Sequence, residues 1–495
     1  MRKRTLRMTV ATAVAMAASA ALAPVAQADP AAVAATGLAK ADFNGDGVAD
    51  TATAAPHATV SGHKGAGYIA VTYGSRTLAL KEQSRKVHHQ NSSGVPGSAE
   101  ADDQFGSAMT AADLDGDGYT DLVVGSRGED SGTLYGSGTL TVLWGGKGGL
   151  TGGTVVKGAD GESLGQALTA GDFDGDGHPD LATGTRVAHG PFGRTTGPAR
   201  TETMDVRVDG AEEELWNAPT LATGDVNGDG ISDVVAVVSH GEGELPYHGP
   251  RLAEYFAGSR DGLTAARILK DPKTGQPLDG GADVAVGDLD RDGYADIVLG
   301  RSGEEDMDGT EEVTRLGGAV EIVRGTASGP DTTSPRTLFH QDSAGVPGTA
   351  EYGDDFGRAV SLGDVNGDGR LDLAIGARGE GLGTLAGAGS VTVLLGGGTG
   401  LTTTGAKSLT QDTASVPGTA ERADAFGAAV HLADTTGDGR AELFAGAPGE
   451  NSWAGAVWAL KGTATQVTGT GSASFGPSAL GMTSSQGGLG TAFDR

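Results

Sequence analysis

Residues 113–121 read Asp-Leu-Asp-Gly-Asp-Gly-Tyr-Thr-Asp, "DLDGDGYTD", and crowd four carboxylates around two glycines. The pattern returns as "DFNGDGVAD" (42–50), "DFDGDGHPD" (172–180), "DVNGDGISD" (225–233), "DLDRDGYAD" (288–296) and "DVNGDGRLD" (364–372). A looser copy, "DTTGDGRAE", occupies 434–442. Like charges held this close destabilise a fold unless something neutralises them. A hard divalent cation does so, and an all-oxygen donor set in a flexible loop suits calcium better than magnesium. A lone Asp-Gly turn reads as a solvated hairpin loop, but seven in register do not.

In the 113–121 loop the expected ligands are the side chains of Asp113, Asp115, Asp117 and Asp121 with the Tyr119 carbonyl; Gly118 permits the sharp turn before it. The same positions in the first loop are Asp42, Asn44, Asp46, Asp50 and the Val48 carbonyl. In the third and fourth they are Asp172, Asp174, Asp176, Asp180 and the His178 carbonyl, then Asp225, Asn227, Asp229, Asp233 and the Ile231 carbonyl. The fifth and sixth supply Asp288, Asp290, Asp292, Asp296 and the Tyr294 carbonyl, then Asp364, Asn366, Asp368, Asp372 and the Arg370 carbonyl. The seventh offers Asp434, Asp438, Glu442 and the Arg440 carbonyl; with Thr436 at its third position it is expected to bind weakest among up to seven Ca2+ ions. An EF-hand needs a bidentate acid at position twelve, where this chain has Thr53, Val124, Thr183, Ala236, Leu299, Ile375 and Ala445, so that reading is rejected.

The loops recur about every 65 residues, a long period that indicates a repeat architecture. A tandem nonapeptide β-helix would repeat far sooner. Phe-Gly stands eight residues before three loops, at Phe105, Phe356 and Phe426, and Leu164-Gly165 keeps the register before a fourth. Apolar runs ending in Gly follow the loops ("LVVGSRGE", "LAIGARGE"), and β-rich segments such as "GTLTVLWGG" and "GSVTVLLGG" come farther on. Short β-branched runs bounded by glycine read as strands. A weaker fourth strand is expected around "VHHQNSSGVPGSAEADDQFG", "TLFHQDSAGVPGTAEYGDDFG" and "SLTQDTASVPGTAERADAFG". Four antiparallel strands in each of seven units predict an all-β, seven-bladed β-propeller spanning 29–495.

Residues 1–28 read as a secretory signal peptide: Arg2, Lys3, Arg4 and Arg7, an apolar stretch, then Ala26-Gln27-Ala28 with cleavage after Ala28. Removing those four positive residues takes the net charge from −29 to −33, which argues against nucleic acid and anionic lipid as partners. Much of that charge sits in the loops that calcium would neutralise. Cysteine is absent, so an exported chain of this length must rest on its core or on metal. No later run is long and apolar enough to span a bilayer. A secreted monomer is expected.

Phe-Gly, the acidic loop and "GAPGE" (446–450) together resemble the FG-GAP repeats of integrin α-subunits and related bacterial exported proteins. The resemblance runs over roughly residues 35–495. Phe-Gly is missing from the units at Asp42, Asp225 and Asp288, and Gly-Ala-Pro is intact only in the last. By resemblance, the loops are structural metal sites on one face of the disc. Partners, an extracellular protein or glycan, would bind the other face through the connections at 126–138, 239–251, 301–315 and 447–455. Tyr135, Trp453, Tyr247 and His248 are the candidate contact aromatics. The run Glu304, Glu305, Asp306, Asp308 reads as a solvated acidic loop. At the C-terminus "LGTAF" (489–493) matches "LGQAL" (164–168), whereas the first unit opens with the poorer "TGLAKAD" (36–42). The end of the chain is therefore expected to pair beside its beginning.

"GESLG" (161–165) fits the hydrolase pattern G-x-S-x-G around Ser163, but a nucleophile elbow must join a strand to a helix. Here Leu164-Gly165 takes the Phe-Gly place. The ten histidines are scattered, and no H-E-x-x-H, Walker A loop or dinucleotide fingerprint is visible. Hydrolases that carry FG-GAP propellers, such as a phospholipase acting on glycosylphosphatidylinositol anchors, place catalysis in a domain ahead of the propeller. The first unit here begins about ten residues after the expected cleavage site. A binding module is the leading reading. A hydrolase built on the long loops 185–216 and 240–280, or a purely structural surface protein, are the alternatives.

Overall fold

Glycine brackets decide where the strands stop. In the second unit Phe105–Ala112 runs into the acidic loop, and Asp121–Ser126 returns antiparallel with Ala112 opposite Asp121. Thr139–Trp144 and Thr151–Lys157 complete a four-stranded blade. The computed structural model describes residues 40–77, 79–130, 135–204, 206, 215–240, 251–278, 280–302, 316–483 and 486–495. The expected signal peptide, the 304–308 acidic run, Tyr247 and His248 lie outside the described residues.

Seven such four-stranded antiparallel sheets form a seven-bladed propeller. Blades three to seven span residues 169–203, 215–268, 283–339, 356–409 and 429–475. Blade one consists of Thr51–Ala55, Tyr68–Tyr73 and Ser84–His88, and its innermost place is taken by Ala492–Phe493 from the far end of the chain. Thr53 pairs with Phe493 and Ala54 with Ala492, so the expected closure is present. Residues 40–41, which precede the first loop, form no strand. Blade four closes on Arg267–Ile268 and blade three on Arg200–Thr203. The long loops expected at 185–216 and 240–280 therefore contain the third and fourth strands of two blades. The fourth strands of blades one, five and six end at His88, Phe339 and Leu409; most of each "VPG" stretch is instead a connection to the next blade.

The core lies between blades. Seven apolar clusters each combine two neighbouring sheets: Val391 and Val393 of blade six, for example, join Leu443 and Trp458 of blade seven. The seam between blades seven and one buries Phe444, Tyr68, Leu489 and Phe493. Burying side chains of this size contributes about 1.5–3 kcal/mol each.

The Phe-Gly and Gly-Ala-Pro signatures have a common packing reason. A Cβ on Gly376, at the end of a second strand, would lie 2.0 Å from the carbonyl oxygen of Gly427 in the next blade. The same approach recurs between Gly125 and Gly165, at 2.1 Å, and between Gly446 and Gly490, at 1.9 Å. Only glycine lets the backbones touch. The last pair places Leu489-Gly490 at the Phe-Gly position of blade one. Ser163 occupies the residue before this position with φ 51°, as do Gln104 (56°), Asp355 (59°) and Ala425 (59°). Its left-handed backbone is thus a feature of the repeat, and a strand bridge at Leu164 follows it rather than a helix.

Candidate metal loops and the opposite face

Each acidic loop is folded by its own carboxylates. Asp113 Oδ1 accepts the Asp117 N–H at 3.1 Å and Oδ2 the Gly118 N–H at 2.9 Å. The same pair of bonds holds at Asp42, Asp172, Asp225, Asp288, Asp364 and Asp434, all within 2.7–3.2 Å. The fifth side chain, as at Asp117, accepts the N–H of the seventh residue, here Tyr119, at 3.0 Å. These turns bring carboxylates together: donor atoms of Asp113, Asp115 and Asp121 lie within 4.8 Å of one another, as do those of Asp172, Asp174 and Asp176 and of Asp288, Asp290 and Asp292.

Position two is an apolar peg that sequence reasoning passed over. Phe43, Leu114, Phe173, Val226, Leu289 and Val365 are all buried beneath their loops. Thr435 takes the place in the seventh, where its hydroxyl bonds Glu442 at 3.2 Å. Position nine is buried too. Asp121 accepts the Leu114 N–H at 2.9 Å and the Gly145 N–H at 2.8 Å, tying the loop to the end of the third strand. Equivalent bonds run to Asp50, Asp180, Asp233, Asp296 and Asp372. Burial, reinforced by the neighbouring loop carboxylates, pushes Asp50, Asp121 and Asp372 up to about 7, even though these backbone bonds pull the other way. Asp296 also reaches about 7 and Glu442 about 8, again chiefly through burial. A carboxylate set whose members raise one another's proton affinity fits a cation well.

Neighbouring loops are stitched together around the ring. The eighth residue donates its N–H to the first carbonyl of the loop before it: Thr120 to Asp42, Ser232 to Asp172, Ala295 to Asp225, Ala441 to Asp364 and, across the closure, Ala49 to Asp434. The third loop has Pro179 there and lacks the donor; it keeps the second bond, to the position-two carbonyl, from Phe192 to Leu114 at 2.9 Å, as Gly146 bonds Phe43 and Ser259 bonds Phe173. The Tyr119 ring rests on Gly45, where a Cβ would lie 2.5 Å from it.

Basic side chains modify individual loops. Arg194 reaches Asp115 and lies 2.6 Å from Asp117. Arg324 inserts between Asp290 and Asp296, 3.3 Å from the latter. In the seventh loop Lys461 and Arg440 stand 3.6 and 3.5 Å from Asp438. Arg324, Lys461 and His189 share one place, the residue before the glycine that ends the third strand.

The opposite face carries two features. Gln90, Gln341 and Gln411 each donate to a half-buried glutamate of the next blade, Glu129, Glu380 and Glu450. The clue was present in the repeated Gln of the "VPG" stretches and the Glu of "SRGE", "ARGE" and "APGE". Second, among the described residues the large apolar side chains that stand exposed are Tyr135 (77%), Tyr352 (59%), Trp453 (55%) and Leu316 (48%). All four lie in connections after a second or a fourth strand, at the blade ends away from the acidic loops. Tyr352 was not singled out from sequence.

The profile of the FG-GAP repeat matches residues 34–72, 105–143, 164–195, 356–394 and 426–460. Five segments of this chain are FG-GAP repeats. The chain is similar to integrin alpha-3 of Mus musculus, 30% identical over 154 residues that make up 31% of this chain and 13% of that protein. It is also similar to phosphatidylinositol-glycan-specific phospholipase D of Rattus norvegicus, 32% identical over 161 residues, 31% of this chain and 18% of that enzyme. The chain thus spans less than a fifth of these relatives. A rhamnogalacturonan lyase of Bacillus licheniformis overlaps 81% of this chain and 80% of its own, at 14% identity and a TM-score of 0.31. Three of these segments open on Phe105, Phe356 and Phe426, and each of these side chains packs in a seam between two blades. Among the described residues no helix is long and apolar enough to cross a membrane.

Proposed function

We propose that this FG-GAP propeller is a secreted, calcium-braced module that binds a protein or glycan outside the cell. The observation that carries the reading is the division of its two faces. One collects the acidic loops with their mutual hydrogen bonds. The other presents Tyr135, Tyr352, Trp453 and Leu316 to solvent. Aromatic side chains exposed on a rigid scaffold are typical contact residues, and the integrin relatives support a recognition role. Calcium would be held by positions one, three, five and nine of the loops, supplying rigidity rather than chemistry.

The test is capture. Mature protein (residues 29–495) is immobilised in calcium, exposed to extracellular and cell-surface extract, and eluted with EGTA. A partner retained by the wild type and lost by a Tyr135→Ala/Trp453→Ala double variant supports the reading; equal capture by both rejects the aromatic face. The phospholipase relatives favour a second reading, a hydrolase scaffolded on the propeller. Phosphodiester and ester turnover by the purified mature chain would establish it.

A further inference from the structure

His189 closes the third strand of blade three and is 1% exposed. Its Nδ1 lies 3.3 Å from Asp174 Oδ2 and 3.2 Å from Asp180 Oδ2, and its Nε2 lies 3.1 Å from Glu202 Oε1. Neither ring nitrogen makes a hydrogen bond of acceptable geometry. A buried polar atom left without a partner costs about 1–3 kcal/mol, so an imidazole with two such atoms, aimed into a carboxylate cluster, marks a missing ligand. The donor atoms of Asp174, Asp180 and His189 all fall within 4.8 Å of one another. Arg200 holds the outer rim, bonding Asp174 Oδ2 and Glu202 Oε2, each at 2.9 Å. Asp180 is fixed by the Phe173 and Gly190 N–H groups, both at 2.9 Å.

We infer that blade three carries a mixed imidazole–carboxylate site for a divalent transition metal, with His189 Nδ1, Asp174 and Asp180 as its ligands. Calcium takes oxygen donors, whereas one imidazole among carboxylates suits zinc, manganese or cobalt. Glu202, with Oε1 3.1 Å from Nε2, stands where an outer carboxylate would take the other ring N–H once the metal aligns the ring, which would keep Nδ1 bare. The same place in the other blades holds Tyr73, Trp144, Ala257, Arg324, Leu395 and Lys461, so blade three alone offers an imidazole. Because Asp174 and Asp180 belong to the third acidic loop, this metal takes the place of calcium there, and the inference does not depend on calcium filling the remaining loops.

The test uses the mature protein, stripped with EDTA and dialysed against excess calcium with one equivalent of Mn2+. Bound metal is counted by mass spectrometry, and pulsed electron paramagnetic resonance reads nitrogen coupling to the manganese. One Mn2+ per chain with imidazole coupling is expected. Glu202→Gln should weaken binding by roughly 10–100-fold. His189→Gln should abolish the coupling and weaken binding at least as much, with calcium at the other loops unchanged. No retained Mn2+, retained Mn2+ without nitrogen coupling, or the same coupling in His189→Gln overturns the assignment. Should that variant not fold, the coupling in the wild type decides alone.

Discussion

Asp494 and Ala52 are bonded twice across the closure of the ring: the Ala52 N–H donates to Asp494 Oδ1 at 2.8 Å, and the Asp494 N–H donates to the Ala52 carbonyl at 3.1 Å. Thr51 Oγ1 adds a third bond to the same carboxylate, at 3.0 Å. Just before it, Leu489 and Phe493 are buried in the seam between blades seven and one. Deleting residues 486–495 removes both side chains and leaves an unpaired inner strand edge. The expected loss is about 3–6 kcal/mol from the two buried side chains, read as a lower urea midpoint. Asp494→Ala should lose about 1–3 kcal/mol by orphaning the Ala52 N–H. A full-stability deletion variant would show that the ring closes without this strand.

Calcium removal should destabilise the protein, because an ion that binds only the folded chain stabilises it by mass action. Each loop held at one hundred times its dissociation constant contributes about 2.7 kcal/mol, so EGTA should lower the melting temperature sharply. Magnesium should restore it poorly. An unchanged melt in EGTA rejects calcium as the brace.

The loops should not be equal. Arg324 places a guanidinium between Asp290 and Asp296, where the fifth loop would hold its ion. A charge at about 4 Å with an effective dielectric near 20 is worth about 4 kcal/mol. Arg324→Ala is therefore expected to tighten calcium at this loop by at least roughly tenfold, seen as one more tightly bound ion per chain in equilibrium dialysis. An unchanged count would show that the arginine swings aside when calcium arrives.

These inequalities mark what could be read from the chain and what could not. The loops were legible because acid at alternating positions with glycine at fixed offsets has few other uses. The closing strand was legible because Leu489-Gly490 repeats Leu164-Gly165. His189 and Arg324 were not, because His189 ends a third strand and Arg324 directly follows one, and only the fold shows that this place faces its own acidic loop. The Gln411–Glu450 bond spans 39 residues and two blades, so no local period points to it. Tyr352 does not stand out in the chain because its stretch reads as a fourth strand, whereas in the fold it is a connection exposed on the far face.

The Gln411–Glu450 contact has a pH signature. Burial first, then the charge of Asp424, pushes Glu450 from its ordinary 4.5 up to about 7; the Gln411 bond opposes this, while Glu421 adds to it. Asn451 Nδ2 also reaches its Oε1, at 2.9 Å. The folded chain thus keeps a proton that the unfolded chain releases above 4.5. This contribution is fully present below pH 4.5 and is lost as pH rises through about 7. Glu450→Gln keeps the shape and the acceptor for Gln411 without the charge. Allowing for solvent screening, the variant should match the wild type at acid pH and exceed it by of the order of 1 kcal/mol at pH 8. Urea titrations at both pH values in excess calcium check this, and a uniform offset at both would remove the titration from the account.

Trp453 is presented by a strained turn. Asn451, Ser452 and Trp453 are all left-handed, with φ of 52°, 61° and 69°, a conformation costing about 1–2 kcal/mol per ordinary residue. The turn is held by the Trp453 N–H to Gly449 O, at 3.0 Å, and the Gly488 N–H to Trp453 O, at 2.9 Å. Such strain persists where the surroundings impose it and tends to mark working surfaces. Ser452→Gly should relieve part of it, raising stability by up to about 1 kcal/mol after the entropy cost of glycine. Trp453→Ala, at a side chain 55% exposed, should change stability by less than about 0.5 kcal/mol. If the tryptophan anchors a partner, the same substitution should weaken capture by about 2 kcal/mol or more, some thirtyfold. Stability lost with capture intact would make Trp453 a prop for its own loop, and the contact surface would then have to be sought at Tyr135 and Tyr352.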